Sequence, residues 1–298
     1  MQNERSLVLK TDDGRPKLPQ IHRIGVYAML SILSIPSLMP LLWMISTSLK
    51  SDKQIYSTGG TGTEPLTLSS MIPSPPYWQN YPDSLETMPF FVYLRNTLLL
   101  CAVIVVGSVV SSAIVSYGFA RIKFKGSGFF FALMLSTMAL PGQVTMIPIF
   151  SMFRSFGWYG TYLPLTVPAF CGAPFYIFLL TQFFKTLPIE FAESAKVDGA
   201  NDWTIFVRLI LPLSKPALAT CALFAFLGAW NDFLGPLLYV SNPSKYTLAY
   251  GLQQFLSNYY VNWPQLMAAA TMFTVPIVIL FFFAQKTFIQ GISTTGGK

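Results

Sequence analysis

The chain alternates between long apolar stretches and shorter polar segments. A helix needs about 20 apolar residues to cross a hydrocarbon core about 30 Å thick. Six stretches approach or exceed that length, at residues 24–46, 96–120, 127–149, 162–184, 212–236 and 266–285. Asp232 interrupts the fifth stretch, and Gly235 and Pro236 weaken its outer half. The pattern predicts an all-α integral membrane protein with six transmembrane helices.

Lys and Arg are distributed unevenly over the segments between these stretches. If the N-terminus is inside, most of the 19 basic residues lie in cytoplasmic segments, and the opposite side keeps only Lys50, Lys53, Arg95, Arg154 and Lys245. Cytoplasmic loops of membrane proteins carry an excess of basic residues. The distribution therefore predicts that both termini are cytoplasmic and that residues 1–23 form a cytoplasmic tail.

Two outer segments have distinct compositions. The first, residues 49–95, has clustered glycines and prolines at Gly59, Gly60, Gly62, Pro73, Pro75 and Pro76. Such clusters favour an irregular, solvent-facing loop over a packed domain. In the second, residues 246–264, aromatic and polar residues alternate, which is typical of a segment at the outer membrane interface.

The composition agrees with a membrane protein and argues against other classes. Hydrophobic residues make up 53% of the chain and charged residues 10%, whereas about 25% of residues are charged in soluble domains. The net charge is +7, but the basic residues are scattered between apolar runs, so no nucleic-acid partner is expected. Cys101, Cys171 and Cys221 each lie in an apolar run, and we expect small buried hydrophobes rather than disulfide partners.

The cytoplasmic loop at residues 185–211 has the pattern of two short helices. Pro188 suits a first helical turn, Glu190 complements the positive end of the helix dipole, and Gly199 suits a left-handed stop. A second short helix can begin at an Asn201 or Asp202 cap. Its predicted apolar face consists of Trp203, Phe206, Val207 and Ile210. Any cytoplasmic loop needs charged, soluble helical sequence, so this pattern alone assigns no function.

The residue types within this loop are more specific. Glu193-Ser194-Ala195 is followed by Asp198-Gly199-Ala200, and then by Leu209, Leu211 and Pro212. This arrangement resembles the EAA motif in the permease subunits of binding-protein-dependent ABC importers. Ser194 stands in place of the middle alanine and Leu209 in place of an isoleucine, and both replacements are conservative in volume.

The resemblance implies a type I ABC importer permease fold with a cytoplasmic coupling helix. In that family the helix lies in a groove of an ATPase subunit, so that closure of two ATPases on ATP moves the attached spans. The residues implied to couple to the ATPase are Glu190, Glu193, Ser194, Ala195, Asp198, Gly199 and Ala200. Small Ser194 and Ala195 are expected to permit close approach of the partner. Glu193 and Asp198 are expected to meet its polar or basic groups.

The resemblance extends from about residue 90 to the C-terminus and is closest to the MalG-type permeases of carbohydrate importers. It rests on Tyr117-Gly118-Phe119-Ala120-Arg121, Pro141-Gly142-Gln143, Trp230-Asn231-Asp232-Phe233 and Gln285-Lys286-Thr287-Phe288-Ile289-Gln290-Gly291. It implies a single permease domain at 24–298 in the inner membrane of a prokaryotic cell. The implied partners are a MalF-type second permease, a dimer of cytoplasmic ATPases that bind ATP and Mg, an extracytoplasmic sugar-binding protein, and a sugar or oligosaccharide.

Two sets of polar residues are candidates for the translocation pathway. Near the outer end of the fifth stretch lie Trp230, Asn231 and Asp232. An aromatic ring can pack on the apolar face of a pyranose while polar side chains form hydrogen bonds with its hydroxyls. Alternatively, Trp230 anchors the helix at the interface and Asp232 is already in water. Gln143 follows a Pro141-Gly142 break, which either exposes backbone groups to a cavity or partner permease, or simply kinks the helix.

Other classes of function agree less well with the sequence. Gly296-Gly297-Lys298 lacks the spacing and hydroxyl of a phosphate-binding loop, so no cofactor is expected on this chain. No catalytic constellation or metal-ligand spacing is readable, which disfavours a membrane enzyme. A secondary transporter usually has ionisable groups at mid-membrane, whereas only Asp232 interrupts a span. A permease for another small polar solute, such as a polyol, glycerol phosphate or an amino acid, stays open as an alternative.

Overall fold

The chain is almost entirely helical in the residues that the structure, a computed structural model, describes: 20–56, 71–256 and 261–295, with side chains at 24–55, 71–256 and 261–283. These ranges contain no β-strand, and one isolated antiparallel bridge joins Leu256 to Val261. The predicted all-α class is confirmed. The first helix begins at Gln20, inside the predicted tail, and the residues before it lie outside the described ones.

Helices are labelled in chain order through the described ranges. They are α1 (Gln20–Ser48), α2 (Asp52–Tyr56), α3 (Asn80–Thr87), α4 (Phe90–Arg121), α5 (Ser127–Ser136), α6 (Gly142–Ser155), α7 (Leu163–Thr166), α8 (Pro174–Thr186), α9 (Ile189–Val197), α10 (Asp202–Ile205), α11 (Leu211–Leu213), α12 (Lys215–Trp230), α13 (Leu234–Tyr239), α14 (Leu248–Gly251) and α15 (Trp263–Thr295). Short 3₁₀ segments occur at Thr137–Ala139, Val167–Cys171, Pro243–Lys245 and Leu252–Phe255, and a π segment occurs at Phe206–Ile210.

The six predicted spans correspond to four single helices and two bent pairs. By length and composition, Ile24–Ser48, Phe90–Arg121, Leu163–Thr186 and Trp263–Phe283 can each cross a membrane. The pair Ser127–Ala139 and Gly142–Ser155 is bent by 98°, and the pair Asp202–Leu213 and Lys215–Trp230 by 79°. The third and fifth spans are therefore broken rather than straight.

Both breaks have a local cause in proline, which cannot donate a backbone hydrogen bond. Pro141 has an extended backbone (φ −61°, ψ 130°) immediately before α6. In the fifth span, Pro212 lies in α11, Pro216 lies in the first turn of α12, and Ser214 between them leaves the helical region. Contrary to the sequence prediction, α12 ends at Trp230, so Asp232 lies in the turn that follows rather than inside the span.

Helix α4 is the structural centre of the described chain. It has 32 residues, about 48 Å of helix, and its two ends belong to two separate hydrophobic clusters. The inner cluster contains Ala113, Tyr117, Leu180, Phe184, Ile205, Phe206, Ile210, Ala217 and Cys221. The outer cluster contains Met88, Phe90, Tyr93, Cys101, Trp230, Leu248, Phe255 and Ala269. Helix α4 therefore connects the inner and the outer cluster.

Small polar side chains on α4 hold the irregular fourth span in place. Ser111 Oγ donates to the carbonyl of Ala169 (3.1 Å), and Ser116 Oγ donates to that of Ile177 (2.9 Å). The backbone N–H of Ala173 donates to Ser112 Oγ (3.1 Å). Such interhelical bonds satisfy backbone groups that a broken helix leaves free in lipid.

Two minor predictions are wrong in part. Residues 71–95 of the first outer loop are not simply irregular, because α3 packs on α15 and the buried Asn80 amide donates to the carbonyls of Ser48 and Lys50, each at 2.8 Å. The glycine cluster of that loop lies outside the described residues. Cys101 and Cys221 are buried as predicted, but Cys171 is exposed, since it ends a 3₁₀ segment where the chain turns.

Candidate functional site

Helix α9 is the predicted coupling helix, and its start follows the predicted signals closely. Pro188 has an extended backbone (φ −54°, ψ 131°) and immediately precedes the first helical residue rather than occupying the first turn. Glu190 is the acidic residue of the first turn, where it faces the positive end of the helix dipole. The helix is therefore fixed at its start by backbone geometry and charge together.

The end of α9 is a Schellman motif centred on Gly199. Gly199 has φ +83°, a left-handed conformation that side chains disfavour. The N–H of Ala200 donates to the carbonyl of Ala195 (2.9 Å), and the N–H of Gly199 donates to that of Lys196 (3.0 Å). Asn201 then caps α10, with its Oδ1 accepting from the N–H of Thr204 at 2.8 Å. Two helices thus meet at one tightly defined corner.

The predicted coupling residues divide between two faces of this corner. Glu190, Glu193, Ser194, Asp198 and Gly199 are exposed. Ala195 and Ala200 are partly buried and pack against the inner cluster of this chain. Their small side chains therefore allow α9 to approach its own bundle, and only Ser194 of the predicted small pair offers its surface to a partner.

Apolar side chains that the sequence prediction missed lie exposed beside these carboxylates. They are Ile189 (52% exposed), Phe191 (51%) and Val197 (89%). The predicted apolar face of the second helix is also split, since Phe206 and Ile210 are buried but Trp203 (63%) and Val207 are exposed. The π segment that begins at Phe206 changes the periodicity assumed in the prediction. The sequence feature that could have indicated these exposed apolar side chains is the presence of large apolar residues in a charged loop.

Two side chains of α4 tie the corner to the membrane bundle. Arg121 donates from Nη2 to the carbonyls of Phe184 (2.6 Å) and Leu187 (2.7 Å), at the end of α8. The Tyr117 hydroxyl lies 3.4 Å from Asp202 Oδ1, which also pairs with Lys196 Nζ at 3.0 Å. The ion pair is half-exposed and adds about 1 kcal/mol at most. The Arg121 bonds involve a charged donor and contribute more.

The candidate pathway residues at the end of α12 have different environments. Trp230 is fully buried, with its ring stacked on Phe226 (centroids 5.4 Å apart) and tilted against Phe273 (5.5 Å). In this conformation its ring therefore packs within the bundle of this chain. Asn231 is exposed and donates to the carbonyl of Leu227 at 2.8 Å.

Asp232 and Gln143 occupy separate positions in the fold. Asp232 Oδ1 accepts from the N–H of Gly235 (2.9 Å), which stabilises the turn into α13. Gln143 is exposed in the first turn of α6, directly after the 98° bend of the other broken span. Within the described ranges, no group of three or more His, Cys, Asp and Glu side chains could hold a metal ion.

Six apolar spans, two of them broken, with an exposed helical corner between the fourth and the fifth, are typical of a multi-span membrane protein. Residues 108–294 match the family model described as binding-protein-dependent transport system inner membrane component. That range covers more than half of the chain. The chain belongs to this family, the inner-membrane permease components of ABC transporters.

Individual relatives agree with this assignment. The probable ABC transporter permease protein YurM of Bacillus subtilis is 32% identical over 279 residues, which is 93% of this chain and 89% of that protein. The arabinooligosaccharides transport system permease protein AraQ of Halalkalibacterium halodurans is 36% identical over 209 residues, 70% of this chain and 75% of that protein.

A solved structure shows the same fold. A chain from the crystal structure of a bacterial ABC transporter involved in the import of the acidic polysaccharide alginate superposes with a TM-score of 0.75. The superposition covers 92% of this chain and 100% of that chain, at 23% identity. The importer permease fold expected from the sequence is thereby confirmed.

Proposed function

We propose that this chain is one of two permease subunits of an ATP-driven importer whose cargo is a sugar or an oligosaccharide. The observation that carries the proposal is the exposed corner of α9 and α10, which presents carboxylates and large apolar side chains outward. Exposed apolar groups rimmed by polar ones are typical of a protein interface. Similarity to a permease named for arabinooligosaccharides supports a saccharide as the cargo.

The proposed partners follow from the same corner. Two cytoplasmic ATPases would bind ATP and Mg, and one would receive Glu193, Ser194 and Asp198 of α9 in a groove. The exposed Phe191 and Val197 would supply apolar contact area, while the carboxylates would pair with basic groups of the ATPase. A second permease would complete the passage, and an extracytoplasmic binding protein would deliver the sugar.

Coupling would proceed through α4. ATP binding closes the two ATPases and displaces α9, and Arg121 links the end of α8, directly before α9, to the end of α4. Because α4 also belongs to the outer cluster, a shift at its inner end changes the packing around Trp230 and Tyr93. Alternating access then follows from the different affinities of ATP for the inward-open and outward-open states.

Uptake by the reconstituted complex tests this function. The chain would be purified with its native partner subunits and reconstituted in proteoliposomes with the binding protein outside. We expect labelled oligosaccharide to accumulate in the lumen only when the lumen contains ATP and Mg²⁺. ADP should support no uptake, and amino acids or glycerol 3-phosphate should not compete. Uptake driven by an ion gradient without ATP would instead identify a secondary transporter, and competition by glycerol 3-phosphate would overturn the sugar assignment.

A further inference from the structure

The outer segment between α13 and α15 contains a cavity that the importer fold alone does not explain. Its volume is about 250 Å³, and its lining residues are Tyr246, Tyr250, Gln253, Gln254 and Leu256. Resting on the proposed import function, we propose that this cavity is an outer subsite for one ring of a neutral saccharide. It is smaller than the roughly 300–1,000 Å³ of sites for drug-sized ligands, which suits a single sugar ring.

The chemistry of the lining favours a neutral, hydroxyl-rich ligand. Two phenols and two amides offer donors and acceptors together with flat apolar faces, and none of the five lining residues is acidic or basic. Burial raises the pKa of the Tyr250 hydroxyl, and the neighbouring Tyr246 hydroxyl raises it further. The phenol is therefore protonated at neutral pH. These five residues offer no countercharge to an amino acid or a phosphate ester.

The cavity walls are held in place by α4. Tyr93 Oη accepts from Gln254 Nε2 at 2.8 Å, which fixes the orientation of that amide. Asn96 Nδ2 donates to the carbonyl of Tyr246 (3.0 Å), and Thr97 Oγ1 accepts from the N–H of Leu248 (2.9 Å). The rings of Tyr246 and Tyr250 meet edge to face with centroids 4.3 Å apart. Preorganised side chains of this kind reduce the entropy lost on binding.

The cavity also adjoins the turn that ends α12. The ring of Phe233 lies 5.9 Å from that of Tyr250, and Phe233 directly follows the candidate pathway residues Asn231 and Asp232. Gln253 is exposed, and its amide makes no hydrogen bond within the described residues. It is therefore available to a ligand at no cost to the fold. A sugar ring bound here would be separated from the outer end of α12 by one aromatic residue, Phe233.

Saccharide binding to the whole complex in lipid nanodiscs, without the binding protein, tests the subsite. Saturation-transfer NMR would be recorded with two neutral probes, arabinotriose and maltotriose, and one anionic probe, a mannuronate trisaccharide. We expect binding of a neutral probe, with Tyr250→Phe and Gln253→Ala each raising its Kd about three- to tenfold, the effect of one lost hydrogen bond. The double variant should weaken binding further. Gln79→Ala, an exposed outer amide outside the cavity, should leave Kd unchanged.

Three other outcomes of this NMR experiment would overturn the subsite or its neutral ligand class. If a neutral probe binds but neither variant changes its Kd, the sugar contacts lie elsewhere, and the import function stands. If neither neutral probe binds the unmodified complex, the subsite is wrong, and the uptake assay decides separately whether sugars are imported. If the anionic probe binds better and depends on the same side chains, the neutral ligand class is wrong. If the unmodified and variant complexes are recovered from the membrane in equal amounts, misfolding is excluded as the cause of a changed Kd.

Discussion

Replacing Gly199 by leucine is expected to lower ATP-dependent uptake at least tenfold while the chain still inserts and assembles in the membrane. A side chain at φ +83° costs about 1–2 kcal/mol, which shifts the equilibrium of the correctly formed corner about 5- to 30-fold. A Cβ at this position meets no atom of this chain within 4 Å. Any further loss for leucine relative to alanine therefore measures how closely a partner approaches. Uptake by proteoliposomes, normalised to inserted protein, is the measurement.

A substitution series separates backbone strain from steric bulk. Asn tolerates the left-handed region better than other side chains, so Gly199→Asn should retain more uptake than Gly199→Ala, and Gly199→Leu should retain least. Gly128→Ala is the matched control, since Gly128 lies in a helix with open space at its Cβ and no left-handed φ. Normal uptake by Gly199→Leu would show that the corner does not couple ATP to transport.

Replacing Arg121 by glutamine is expected to reduce the amount of sugar moved per ATP hydrolysed, about tenfold. The variant loses a charged donor to the carbonyls of Phe184 and Leu187, worth about 1.5–3 kcal/mol per bond in general and less at this partly exposed position. Without that link, α9 can still move with the ATPase, but α4 follows it less closely, because only the Tyr117 contact and the packing of the inner cluster remain. Uptake and ATP hydrolysis would be measured on the same proteoliposomes to give the ratio.

Two companion variants identify the cause of such an effect. Arg121→Lys keeps a charged donor that can reach one carbonyl, so it should give an intermediate ratio. Lys125→Gln removes the same charge from an exposed position of the loop that follows α4 and should leave the ratio unchanged. If uptake and ATP hydrolysis fell in proportion in Arg121→Gln, the residue would be needed for stability or assembly rather than for coupling.

The sequence predicts the spans well because length and apolar character decide them, but it does not predict how they bend. The Pro141-Gly142 break is visible in the sequence, whereas its 98° angle is not. The early end of α12 depends on local hydrogen bonds made by Asn231 and Asp232, which a hydropathy window does not register. Likewise, α3 is held by bonds from Asn80 to carbonyls about thirty residues earlier.

The candidate site was predictable where residue type dictates backbone geometry. Gly199 and Asn201 were predicted as a helix stop and a cap because few residues suit those conformations, and the structure confirms both geometries. The side-chain faces were harder to predict. Ala195 packs inward and Trp203 outward, although the sequence prediction placed Ala195 toward a partner and Trp203 on an apolar face. Arg121 was read as one of the cytoplasmic basic residues and as part of a family resemblance, but no sequence pattern indicates which carbonyls a guanidinium reaches.

Identifying the chains that accompany this one tests the central claim most directly. The complex would be extracted from its native membrane in mild detergent, purified through this chain, and every associated polypeptide identified by mass spectrometry. The account predicts an ATPase with a phosphate-binding loop and a second multi-span permease, with recovery of the ATPase lost or weakened when Phe191 and Val197 are replaced by charged residues. Recovery of this chain alone, or as a homo-oligomer without an ATPase, would contradict it.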